Sequence, residues 1–195
     1  MINYRTLFDS FRNEIASDAN LKTPDITKKI KEFFAKEFQD YFVAPLGKEK
    51  EFLVDIFVSN VNPRTLHSNP SKNGLRVILA VESELGGEGG GAQGYLKRNV
   101  LEDFSKLLVI RAEYKVLVFT SLPYADEEGH IKNRVDEINS IYKNSGEPGS
   151  ILLIHLQSDA QKTAKGHPTN PKVSLKQDRM SGYVLSKGLS VLTLA

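Results

Sequence analysis

An α/β sandwich with a central mixed sheet flanked by helices follows from three observations on this 195-residue chain. Apolar residues recur at helical spacing in four segments. Short apolar or alternating runs of strand length stand between them. From about residue 75 onward the strand and helix patterns alternate. Consecutive strands followed by strand–helix alternation build a sheet that is partly antiparallel and partly parallel.

Taken in order, Tyr4, Leu7, Phe8, Phe11 and Ile15 form the apolar stripe of a first helix. A second begins where Thr23 can cap, Pro24 suits the first helical position and Asp25 complements the dipole. Its stripe runs through Ile30, Phe33, Phe34, Phe38, Tyr41 and Phe42, with Glu37 inside it. EFLVDIFVSN (51–60) alternates as a strand, and Asp55 interrupts its Leu53, Phe57 face. Residues 62–74 are loop chemistry, and GLRVILAVESEL (74–85) is the next strand. Val100, Leu101, Phe104, Leu107 and Leu108 mark a helix, followed by a strand at 115–121. Ile131, Val135, Ile138 and Tyr142 mark another helix, with Gly146 as its stop. ILLIHLQ (151–157) has the nearly continuous apolar character of a buried central strand. The tail 183–194 reads as a hairpin turning near Lys187 and Gly188. The length suits one domain, with a core over about 24–160 and a C-terminal basic loop and hairpin beyond it.

Composition narrows the classes. Hydrophobic residues at 40% and charged residues at 26% describe an ordinary globular chain. The absence of cysteine excludes disulfides, thiolate metal sites and a cysteine nucleophile, and it fits a reducing cytoplasm. No apolar run approaches the ~20 residues that cross a bilayer, so the expectation is a cytoplasmic protein with no membrane partner. A net charge of +2 argues little for nucleic acid by itself. Locally, Lys162, Lys165, Lys172, Lys176 and Arg179 face only Asp178. That run reads first as a solvated loop and second as a phosphate-binding one.

The chemistry concentrates at LAVESELGGEGGGAQG (79–94), where an apolar strand runs into Glu82 and Glu84 and then into glycines. Side chains two apart on a strand share a face, here expected to be the face of Ile78 and Ala80. Two such carboxylates repel unless a cation lies between them. Mg²⁺ or Mn²⁺ would supply that charge, with Asp55 from the neighbouring strand as a third ligand. The competing explanation is a solvated strand end.

An Asp-bearing strand, a loop, a strand ending Glu-x-Glu and a helix together resemble the PD-(D/E)xK nuclease superfamily, the restriction endonuclease-like fold. FLVDIFVSN, LAVESELG and VLEDFSKLLVIRAEYKVLVF resemble, more narrowly, an uncharacterised branch of it marked by a Glu-Ser-Glu strand and an Asp-Phe-x-Lys-Leu-Leu helix. The resemblance covers about residues 51–120. It implies that Asp55 and Glu82 coordinate Mg²⁺ and that Glu84 stands where a lysine usually orients or deprotonates the attacking water. It also implies that Glu37 matches an assisting glutamate on the preceding helix. Lys106 is the cation the motif offers in place of the missing lysine. Its spacing from Glu102, four residues earlier, favours an ordinary surface ion pair.

Gly89, Gly91 and Gly94 also satisfy G-x-G-x-x-G. The acids Glu82, Glu84 and Glu88 would crowd a pyrophosphate there, and Glu113 precedes the next strand when a ribose-binding acid should follow it. The glycines therefore read as a loop admitting a bulky substrate. His67, His130, His155 and His167 lack metal-ligand spacing, and Ser83 should face away from the acids. The expected function is Mg²⁺-dependent phosphodiester hydrolysis of DNA. One alternative is a catalytically inactive nuclease-like nucleic-acid-binding or regulatory protein, and another is a dinucleotide-dependent enzyme. The sequence leaves RNA and the oligomeric state, a homodimer included, open.

Overall fold

The computed structural model describes residues 2–45, 50–68, 74–86, 93–120, 127–159 and 172–194, with the side chains of 93–97, 127–130 and 159 left aside. The first helix, α1 (Tyr4–Ile15), buries Leu7, Phe8, Phe11 and Ile15, and the Asn3 side chain caps it by accepting from Arg5 N at 2.8 Å. Helix α2 (Thr23–Glu37) differs from expectation at both ends. Lys22 occupies the cap position, so Thr23 is already helical and makes no capping hydrogen bond. At the other end the helix stops at Glu37, and Phe42 opens a short edge strand, β1 (Phe42–Ala44), that the helical stripe concealed. Aromatic residues serve either structure, so spacing alone did not mark the change.

The sheet has seven strands in the order β1-β2-β3-β4-β5-β8-β9. Here β2 is Ile56–Ser59, β3 Val77–Glu84, β4 Tyr114–Thr120, β5 Ile151–Leu156, β8 Met180–Leu185 and β9 Leu192–Leu194. A separate pair joins β6 (Ser158–Asp159) to β7 (Lys172–Val173). The first three strands form an antiparallel meander, β3, β4 and β5 are parallel, and β5, β8 and β9 are antiparallel again. Helix α3 (Gln93–Val109) connects β3 to β4, and α4 (Glu127–Asn144) connects β4 to β5. Two crossovers of one hand advancing in one direction put both helices on the same face.

Two cores result. Helices α1 and α2 cover the face of Ile56, Val58, Leu79, Val81, Val116 and Ile154. Helices α3 and α4 cover the face of Phe57, Ala80, Leu117, Phe119 and Leu153. The packed body extends past the expected 24–160, because α1 fills the first core and β8 and β9 widen the sheet. Gly182 on β8 is where α1 comes closest: a Cβ there would stand 2.9 Å from the Phe8 ring, so only glycine admits the helix.

Two departures from regular strand structure set up the site. Between Val58 and Ser59 the β2–β3 register skips Ile78, so Ile78 and Leu79 both enter the α1/α2 core. The face of Ala80 and Glu82 therefore does not carry Ile78, contrary to simple alternation. The second departure is at Leu53, whose φ of 68° and 71% exposure remove it from the expected strand. The strand read over 51–60 is only Ile56–Ser59, and Asp55 stands just before it.

Candidate functional site at the end of strand β3

Pairing of Ile56 with Val81 and of Phe57 with Ala80 brings Asp55, one residue before β2, beside Glu82. In β3, Glu82 pairs with Leu117 and Glu84 with Phe119 of β4, whose side chains belong to the α3/α4 core. The acids thus lie at the C-terminal ends of parallel strands, under the crossover helix α3.

Glu82 is the most enclosed of them, at 2% exposure, and its Oε1 accepts no hydrogen bond among the described residues. Lys106 Nζ stands 3.4 Å from that oxygen, an ion-pair distance. Burial first, then the charges of Asp55 and Asp103, push the Glu82 carboxyl up to about 8, against the opposing pull of Lys106. Glu84 is raised by burial and by its acidic neighbours, but it is tied down: Gly86 N donates to its Oε1 at 2.8 Å, and Asn99 hydrogen-bonds its side chain. Asp55 is held by one residue. Ser83 N and Ser83 Oγ both donate to Asp55 Oδ2, at 2.8 and 2.7 Å. Ser83, which lies between Glu82 and Glu84 on the strand, thus fixes the third acid, Asp55.

Helix α3 supplies the other side. With Val100, Phe104 and Leu107 buried, the roughly 100° step per residue puts Asn99, Asp103 and Lys106 on one flank of the helix. Asp103 accepts from Lys106 Nζ at 2.6 Å. Burial raises the Asp103 carboxyl and the Lys106 hydrogen bond opposes it. For Lys106, burial works against the charged form, but the Asp103 hydrogen bond and the charges of Glu82 and Asp103 outweigh it and hold the ammonium above the usual lysine range. Lys106 therefore meets Asp103 and Glu82 and not Glu102, its expected surface partner. Asp103 stands in the sequence reading only as the first residue of the Asp-Phe-x-Lys-Leu-Leu motif, with no role at the site, and Asn99 does not enter it; the steps of four residues from Asn99 to Asp103 and three from Asp103 to Lys106 are the signal that joins them.

Other candidates lie elsewhere. Glu37 is exposed at the end of α2, a helix of the opposite core, and is not among the side chains gathered around Glu82. Gly89, Gly91, Glu88, Lys162, Lys165 and His167 fall outside the described residues, as does the side chain of His130. Glu113 donates its backbone N–H to Val77 O and pairs with Arg76 at 3.0 Å, at the end of β3 opposite the acids. His67 Nδ1 lies 3.0 Å from Arg64 O on the surface. His155 is buried in β5 with its ring 5.1 Å from that of Phe119, and burial lowers its pKa to about 3.

The donor set fits a hard divalent ion in part. Asp55 and Glu82 bring their carboxylates near one another, and among the described residues the buried Glu82 Oε1 accepts no hydrogen bond, with the Lys106 ammonium 3.4 Å away. Asp55 Oδ2 and Glu84 Oε1 are already committed to protein donors. Among the described residues no three or more Asp, Glu, His or Cys side chains form a group that could hold an ion by themselves. Two carboxylates completed by water and substrate oxygens are a usual shell for Mg²⁺. Among the described residues, no helix is long and apolar enough to cross a membrane. No protein-family model and no curated protein matches the chain.

Proposed function

We propose that this chain is a restriction endonuclease-like protein that hydrolyses DNA phosphodiesters with Mg²⁺ or Mn²⁺. The observation that carries the reading is Glu82: a carboxylate 2% exposed, with an oxygen that accepts no hydrogen bond among the described residues, set beside Asp55 and Asp103. Carboxylates withdrawn from water are costly unless cations join them, and Lys106, 3.4 Å from Glu82 and shared with Asp103, offsets that cost only in part. A bound divalent ion would supply that charge and neutralise negative charge developing on a phosphoryl group. Asp55 and Glu82 would hold it, with Ser83 orienting Asp55. Glu84, occupied by Gly86 and Asn99, closes the strand end. Lys106 carries three donors, of which Asp103 takes one. Its side chain is 46% exposed, so a phosphate oxygen or the attacking water can reach it. Supporting the reading further, the Asp-bearing segment, the Glu-x-Glu strand and the Asp-Phe-x-Lys helix are adjacent in space as well as in order.

One observation favours a second reading, a noncatalytic nuclease-like binding protein: Lys106 already brings a cation against Glu82. The dinucleotide reading loses support because Glu113 lies at the wrong end of β3. Incubation of supercoiled plasmid with Mn²⁺ or Mg²⁺ tests the proposal. Slow nicking, stopped by chelation and by Asp55→Ala or Glu82→Ala, is the expected result. DNA binding without cleavage at every metal concentration would move the assignment to the second reading, and neither binding nor cleavage would sink both.

A further inference from the structure

We infer that Asp103 is the positioning residue of this site, holding the Lys106 ammonium against Glu82 so that Lys106 provides the cation that position 84 does not. The inference rests on the nuclease reading for its catalytic consequence, though not for its geometry. A lysine has a long, flexible stem and a strongly hydrated head, and on a half-exposed helix flank it ordinarily turns to solvent. Glu102, one turn earlier and further from the buried stripe, would draw it outward. Asp103 lies between the stripe and Lys106, its side chain 15% exposed, and its Oδ1 stands 2.6 Å from Nζ. The same ammonium then stands 3.4 Å from Glu82 Oε1.

The placement of Asp103 has no stabilising logic without Lys106. A third carboxylate beside Asp55 and Glu82 adds repulsion in a partly dehydrated place, where like charges interact most strongly. With Lys106 between Asp103 and Glu82, each acid gains a counter-charge, and the lysine loses its freedom to leave. Asn99, one turn before Asp103 on the same flank, does the equivalent for Glu84. One side of α3 thus orders the strand-end acids and the cation beside them.

Two measurements on the full chain test this. Reductive methylation followed by mass spectrometry reads the reactivity of each lysine amine. In the wild type Lys106 should react several-fold more slowly than the exposed Lys28. Asp103→Asn should accelerate it about threefold or more, and Glu102→Gln should leave it unchanged. In metal-dependent cleavage, Asp103→Asn should lower kcat by roughly 10²-fold with KM for DNA nearly unchanged, since misplacing a group by an ångström costs about that much. It should lower it no further in a Lys106→Ala background, and Asp103→Glu should recover part of the loss. An equal loss with and without Lys106 would mark Asp103 as merely structural and overturn the inference. So would unchanged labelling in Asp103→Asn or, if that variant fails to fold, wild-type Lys106 as reactive as Lys28. A wild type that never cleaves defeats the nuclease reading, and the labelling still decides whether Asp103 holds Lys106.

Discussion

Glu82 couples the site to stability. Its carboxyl has an ordinary value of 4.5 and is pushed up to about 8 in the folded protein, first by burial and then by Asp55 and Asp103. A group raised on folding contributes stability that is complete below its unfolded pKa and is lost as pH rises through the folded one. Glu84 and Asp103, both raised chiefly by burial, act in the same direction. Lys106, also raised, changes its contribution only at higher pH, beyond this window. The metal-free protein should therefore melt at falling temperature between about pH 5 and pH 8, and Glu82→Gln should flatten that slope. On the proposed reading a divalent ion should offset the penalty, because a ligand that binds the folded state alone stabilises it by RT ln(1 + [L]/Kd). At a hundred times Kd this is about 2.7 kcal/mol, a shift of roughly 5–10 °C at this size. Thermal melts of both proteins across pH, with and without Mn²⁺ at constant ionic strength, check it. Equal slopes and equal metal responses would make Glu82 an ordinary strand-end acid. The residue scale is also where the sequence was hardest to read. That Glu82 and Glu84 belong together was legible from alternation, but that Glu84 would be consumed by Gly86 and Asn99 was not, since a turn and a helix flank decide it.

At the scale of elements, periodicity located α1, β4 and β5 to within a residue or two, because α1 buries one continuous stripe and β4 and β5 are apolar on both faces, while the terminal hairpin begins three residues before the expected 183. It failed where the backbone departs from a regular repeat. The skip at Ile78 moves one apolar side chain to the other core, and nothing in VILAV announces it. Glu37 comes to the site through the resemblance, supported by its place inside a stripe read as far as Phe42, whereas the helix ends at Glu37 itself and leaves it exposed. Leu53 is the sharpest case: a leucine in the left-handed region, two residues before Asp55, turns the chain into β2. Such a conformation costs a non-glycine residue about 1–2 kcal/mol and persists only where its surroundings impose it. Its side chain is mostly exposed, so removing it forfeits little burial. Leu53→Gly should then raise stability by up to about 1 kcal/mol in urea unfolding, part of the relief being offset by the freer unfolded chain. A loss of more than about 1 kcal/mol would show that the Leu53 side chain is holding the turn instead of being strained by it.

For the whole molecule, 26 basic and 24 acidic residues leave too small an excess to draw in DNA from a distance. On the proposed reading, affinity for DNA would have to come from local contacts, and each neutralised phosphate would contribute about 0.9 to the slope of log K against log salt. The candidate site works against such contacts when no divalent ion is present. Among the described residues, Asp55, Glu82, Glu84 and Asp103 gather around Lys106, and burial first, with the neighbouring acids adding to it, raises the carboxyls of Glu82, Glu84 and Asp103. Neutralising two acids at once, by Asp55→Asn with Glu82→Gln, should therefore strengthen metal-free binding to a labelled duplex by roughly tenfold at about pH 9, where the Glu82 carboxyl is ionised and two unit charges several ångströms away are removed. In Mn²⁺ the order should invert. The wild type gains a cation against the phosphate, while the double variant, lacking the carboxylates that would hold one, gains nothing beyond general screening. Fluorescence anisotropy over a salt series, at matched ionic strength with and without Mn²⁺, separates the cases. If DNA is instead held on a surface remote from β3, the two proteins will bind equally in both conditions, and the acids at the end of that strand will have no part in recognising the phosphate.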